Sequence, residues 1–130
     1  MGILTDLFGK RDDAQNSERT LPWIQLQTTA QIDEIIQYSR VKPQLIFKHS
    51  TTCGTSRMAL NMFTSTSILK TNQFDFCFLD IHRYRPVSNA IADRFEIRHE
   101  SPQLLIIKNE KVVYHCSHGE IAQVNLDNYA

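Results

Sequence analysis

Phe74-Asp75-Phe76-Cys77-Phe78-Leu79-Asp80 places three aromatic rings on alternate positions, with Cys77 and Leu79 between them. Side chains alternate across a strand, so Phe74, Phe76 and Phe78 share one face and Cys77 and Leu79 the other. Apolar residues on both faces predict a central strand covered by helices on each side. Upstream, Gln44–Lys48 (QLIFK) is a second compact apolar strand, and Pro43 bars the preceding helix from running into it. In that helix Ile32, Ile35 and Ile36 share a face, and Thr28 with Gln31 has capping-box spacing. Trp23, Ile24 and Leu26 give a short strand signal before it. Between the two strong strands, Met58, Met62, Phe63 and Leu69 fit an amphipathic helix starting near Cys53.

Downstream, Pro86 suits the first turn of a third helix carrying Val87, Ile91 and Phe95. Gln103–Lys108 (QLLIIK) and Lys111–His115 (KVVYH) flank Asn109-Glu110 as a tight hairpin. Glu110 is a poor second turn residue beside Gly, which leaves the turn type open. A last helix from about Gly119 to Tyr129 would turn Ile121 and Val124 inward. The order is β-α-β-α-β-α-β-β-α: a βαβαβ half with parallel strands, then an antiparallel hairpin. This is the α/β element order of a thioredoxin-like domain, a central mixed five-stranded sheet flanked by helices.

The chain of 130 residues is the size of one domain, expected over residues 21–130. Residues 9–20 lack any apolar period, so residues 1–20 read as a mobile tail. Within it, Ile3, Leu4, Leu7 and Phe8 suit either a loose helical turn or a docking peg. Fourteen Lys+Arg balance fourteen Asp+Glu, without the basic excess of a nucleic-acid binder. No apolar run approaches the roughly 20 residues that span a bilayer. The N-terminus lacks the order of a signal peptide, and Asp6 stands where a myristoylation motif wants Ser or Thr. Three cysteines, an odd and sparse set, point to reduced thiols and a cytoplasmic address. None forms the C-x2-C spacing of a zinc site, so no metal is expected.

Cys53 lies in Ser50-Thr51-Thr52-Cys53-Gly54-Thr55-Ser56, between a strand and a helix. A thiolate is the nucleophile in disulfide exchange, and the unpaired N–H groups of a helix N-terminus favour negative charge. Free cysteines are more often buried packing residues, but the polar turn at Cys53 reverses those odds. Ser56 occupies the place of the second thiol in a C-x-x-C pair, so a monothiol mechanism is expected, with Cys53 resolved by another thiol. Glu100-Ser101-Pro102-Gln103 stands before a strand, where proline adopts either an ordinary trans or a cis bond.

Lys48-His49-Ser50-Thr51-Thr52-Cys53, with Arg85-Pro86, Ser88-Asn89, His99-Glu100-Ser101-Pro102-Gln103 and His115-x-Ser117-His118, resembles the monothiol bacilliredoxin family of the YtxJ type. The likeness runs over roughly residues 21–125. It implies a thioredoxin-like oxidoreductase of bacteria that use bacillithiol in place of glutathione, one that removes bacillithiol from S-bacillithiolated proteins. Bacillithiol is then a co-substrate, and no bound cofactor is expected. The implied nucleophile is Cys53, with Thr52, Gly54, Thr55, Ser56, Ser101, Pro102 and His118 contacting the disulfide. In thioredoxin-like folds a cis-proline faces the active-site cysteine, which gives Pro102 its implied place. Many family members have Pro after the cysteine, where this chain has Gly54.

Two other functions stay open: a thiol sensor or binding module without turnover, and an iron–sulfur carrier. The second is suggested by Gly54-Thr55-Ser56, which resembles the Cys-Gly-Phe-Ser run of monothiol glutaredoxins. Lys48 and His49 read as a solvated strand end, with attraction of bacillithiol's carboxylates as the alternative. His115 and His118 have H-x-x-H spacing, a weak metal signal on a strand end. Cys77 is expected to be a packed core thiol and Cys116 to lie near the end of an edge hairpin, neither resolving Cys53.

Overall fold

The computed structural model describes residues 21–67 and 70–130. Expectations for residues 1–20, and for Leu69 on the second helix, lie outside these residues. The elements follow in the order β1 (Ile24–Gln25), α1 (Ala30–Tyr38), β2 (Gln44–His49), α2 (Gly54–Ser67), β3 (Asp75–Asp80), α3 (Arg85–Phe95), β4 (Gln103–Lys108) and β5 (Lys111–Ser117). They form one sheet in the order β1-β3-β2-β4-β5. β1 and β2 run parallel to β3, whereas β4 is antiparallel to β2 and β5 to β4.

The two-faced strands generate two cores. On one side Leu45, Phe47, Phe74, Phe76, Leu104 and Ile106 pack with Ala59 and Phe63 of α2. On the other, Ile46, Cys77, Leu79, Leu105 and Ile107 pack with Ile32 and Ile35 of α1 and Val87 and Ile91 of α3. The capping-box spacing is half realised: Gln31 Oε1 accepts from the Thr28 N–H at 3.0 Å, while the helix starts at Ala30. α2 differs from its expected face. Ala59 and Phe63 point inward, but Met58 and Met62 are exposed on the helix flank.

The hairpin turn resolves as type I′, with φ of 53° at Asn109 and 71° at Glu110. A glutamate is held there by α1. Ser39 C=O accepts from the Asn109 N–H and Ser39 Oγ from the Glu110 N–H, each at 2.8 Å, and Arg40 pairs with the Glu110 carboxylate. The expected last α-helix is instead two 3₁₀ segments, His118–Gln123 and Leu126–Asn128. Val124 between them is extended, and the Asn125 side chain accepts from the Asp127 N–H, competing with a continuous helix. The break lets both Ile121 and Leu126 reach the core. Among the described residues no helix is long and apolar enough to cross a membrane.

Candidate active site

Parallel β2 and β3 end where antiparallel β4 begins. Register pairs His49 with Asp80, Lys48 with Gln103, and Gln103 with Ser117. The turn carrying Cys53, the loop after β3, the Ser101–Pro102 segment and the start of the first 3₁₀ segment therefore meet at one end of the sheet.

Cys53 caps α2. Its N–H donates to Ser50 C=O at 3.3 Å, its C=O accepts from the Arg57 N–H at 3.1 Å, and the residue is half-buried. This leaves the thiol beside the unpaired N–H groups of the first helical turn. A Cβ on Gly54 would meet nothing within 4 Å, so the space next to the cysteine is open. Thr52 and Thr55 flank it on the surface.

Ser56 faces inward and is wholly buried. Its Oγ accepts from the Ser50 N–H at 3.1 Å and meets His49 Nδ1 at 2.8 Å. The hydroxyl has one proton to give and two lone pairs to accept with, so it satisfies both the Ser50 N–H and the His49 ring nitrogen. Burial pushes the His49 pKa down, Asp80 opposes this and Arg57 adds to it. The position of a second thiol thus holds a hydroxyl that ties the end of β2 to the first turn of α2. Another tie was not legible in the sequence. His82 Nε2 meets Ser50 Oγ at 2.8 Å and Thr52 Oγ1 at 3.2 Å, bridging the loop after β3 to the residue before Cys53.

The Ser101–Pro102 peptide is cis. Pro102 C=O accepts from the His118 N–H at 3.0 Å. His118 in turn lines a groove of about 330 Å³ with Thr55, Met58, Met62 and Gly119. The structure therefore brings together Cys53, Thr52, Gly54, Thr55, Pro102 and His118 at one rim, with Ser56 beneath. Beside this rim Ser101 Oγ and Gln103 Oε1 are buried without a hydrogen-bond partner among the described residues.

Lys48 and His49 are not a solvated strand end. They are 0% and 7% exposed, because both faces of β2 are covered. Lys48 Nζ donates to Ser88 C=O and His99 Nδ1, each at 3.2 Å, and burial pushes its pKa down to about 8. Glu100 receives a hydrogen bond from Ser117, which holds its carboxyl below the usual range. Cys77 is buried, with its thiol pushed up to about 12 by burial and then by Asp75. Cys116 is buried too, although on an edge strand, because its side chain turns into the core beneath α2 and the 3₁₀ segment. Burial raises its pKa. Among the described residues no three His, Cys, Asp or Glu side chains converge as a metal site.

The family model described as monothiol bacilliredoxin matches residues 24–126. A solved structure described as a candidate oxidoreductase with a thioredoxin fold is similar at 29% identity, over 76% of this chain and 85% of that one, with a TM-score of 0.68. Thioredoxin O2 from Arabidopsis thaliana, in its oxidised state, superposes with a TM-score of 0.66 at 15% identity, over 82% of this chain and 93% of its own. Schistosoma mansoni thioredoxin does so with a TM-score of 0.64 at 18% identity, over 83% and 95%. The last two show the fold alone.

Proposed function

The chain belongs to the monothiol bacilliredoxin family, and from that premise we propose that it removes bacillithiol from S-bacillithiolated proteins, with Cys53 as the nucleophile. The observation that carries this reading is the placement of Cys53. It is the half-buried cap of a long helix beside open space, while Cys77 and Cys116 are buried in the two cores.

The Cys53 thiolate attacks the bacillithiol sulfur of the mixed disulfide. That S–S bond breaks, the client thiolate leaves and takes a proton from solvent, and bacillithiol remains disulfide-bonded to Cys53. A second low-molecular-weight thiolate then attacks the adduct, regenerating the Cys53 thiolate and leaving with bacillithiol as a disulfide. With Ser56 in place of a second thiol, the chain has no neighbouring cysteine to short-circuit the adduct. Bacillithiol is a co-substrate here, and the reduced thiols the cycle needs suit the cytoplasm.

Reduced protein mixed with a bacillithiolated model protein is followed by intact mass, alongside Cys53→Ser and Cys53→Ala. The expected result is transfer of the adduct to the wild-type chain and to neither variant. No transfer while Cys53 is still freely alkylated overturns the exchange reading and returns the sensor and cluster-carrier readings.

A further inference from the structure

The chain is neutral overall, yet its charges are unevenly spread. All five histidines, at positions 49, 82, 99, 115 and 118, lie at or near the end of the sheet that holds Cys53. Lys48, Arg57, Arg83, Arg85 and Arg98 stand at this end against Asp80, Glu100 and Glu120. Two of those carboxylates are engaged locally. Asp80 accepts from the His82 and Arg83 N–H groups, and Glu100 accepts from Ser117.

Within this rim one group is built for a ligand. The Lys48 side chain is wholly buried and, among the described residues, has no carboxylate within ion-pair distance, an arrangement proteins rarely leave uncompensated. It spends its hydrogen bonds on Ser88 C=O and on His99 Nδ1. Ser88 Oγ meets the same Nδ1 at 3.2 Å. An ammonium can only donate, so Nδ1 is an acceptor and the proton of a neutral His99 sits on Nε2. The ring is exposed, and it is anchored through its inner nitrogen. Burial, Lys48 and Arg85 hold the His99 pKa down while Glu100 opposes them, and Arg85 stands one helical turn before Ser88 on α3. His99 stands two residues before the Ser101–Pro102 peptide, and the buried Ser101 hydroxyl there has no partner among the described residues.

We infer that His99, seated on Lys48 and accompanied by Arg85, is the specificity-determining subsite for a carboxylate of the small thiol, so that anionic adducts are chosen over neutral ones. This rests on the exchange reading above. His99 Nε2–H and the Arg85 guanidinium supply the donors. Lys48 is a positioning residue: it orients the imidazole and adds positive charge from beneath, without touching the ligand. A neutral thiol adduct would leave both donors facing only water and gain nothing from the charge.

The test compares one model protein carrying either bacillithiol or the neutral 2-mercaptoethanol in disulfide linkage. Adduct transfer to the full chain is timed by intact mass at low and high salt, for wild type, His99→Gln and Arg85→Gln. The expected result is a bacillithiol-to-mercaptoethanol rate ratio that falls several-fold with added salt and several-fold in each variant at low salt. A ratio that is the same in wild type and both variants overturns the subsite while leaving exchange at Cys53 standing. No transfer from either adduct overturns the exchange reading, and the subsite with it. As a readout independent of turnover, Cys53→Ser is titrated with succinate and the histidine ring protons are followed by NMR. Saturable shifts of the His99 ring, lost in Arg85→Gln, are expected, and an unmoved His99 ring overturns the proposal.

Discussion

Replacing Ser56 with alanine tests whether the hydroxyl in the second-thiol position works as a structural tie. The Ser56→Ala variant removes one oxygen and strands two buried partners, the Ser50 N–H and His49 Nδ1, at 3.1 and 2.8 Å in the wild type. Ser50 is 5% exposed and His49 7%, so water does not readily replace the lost bonds. A buried polar group left unsatisfied costs about 1–3 kcal/mol, which puts the pair at roughly 2–6 kcal/mol. For a domain of this size that lowers Tm by about 8–24 °C. Urea denaturation of the reduced protein measures the loss directly, with an unchanged m-value confirming that stability alone has moved. A double-mutant cycle with His49→Leu isolates the side-chain pair, and a coupling of about 1–2 kcal/mol is expected. A Ser56→Ala loss under about 0.5 kcal/mol, or a cycle that is additive within that margin, refutes the tie.

Other expectations follow from the same geometry. In the native reduced chain iodoacetamide should alkylate Cys53 and leave Cys77 untouched at neutral pH, because Cys77 is buried with its pKa near 12; peptide mapping before and after denaturation decides this. Lys48 has a lower pKa folded than unfolded, about 8 against 10.5, so the unfolded chain binds more protons between those values. Wild-type stability should therefore rise relative to Lys48→Met from pH 8 to 10.5, by up to about 3 kcal/mol. Parallel urea titrations at pH 7 and 10 that give one constant difference would contradict it. Glu110→Gly should stabilise by up to about 1 kcal/mol, since φ of 71° suits glycine and the lost Arg40 pair is exposed. A lowered Tm in that variant would show that the Arg40 pair outweighs the backbone strain.

Most of the scaffold was legible because its signals are local. β4 runs over Gln103–Lys108, as its apolar run predicts, and β2 and β3 depart from expectation by one residue each. Their residues face covered surfaces on both sides, which leaves a dense apolar run in the chain. The last helix misled because Ile121 and Val124 have helical spacing, whereas the break that carries Leu126 inward depends on Asn125 bonding its own neighbour. At the site, Cys53 stood out as a cysteine in a polar strand-to-helix turn, and the structure places it between β2 and α2. The groups around it were less so. His82 meets residues 30 and 32 positions away, and His99 meets Lys48 across 51. Such pairings are made by the order of strands in the sheet, which no window of sequence contains. Lys48 and His49 misled for a related reason: a charged residue beside an imidazole at a strand's end reads as solvated until the loops that cover it are in place.

The seat of Cys53 is also linked to the one tryptophan of the chain. The Trp23 indole packs edge-on against Phe78 at 5.5 Å, and Phe78 packs against His49 at 5.4 Å. His49 holds Ser56, which braces the turn bearing Cys53. In the proposed cycle an adduct loaded at that turn would reach the indole through these three side chains. Native fluorescence would then time the proposed exchange in an unlabelled protein, with the emission of Trp23 as its clock.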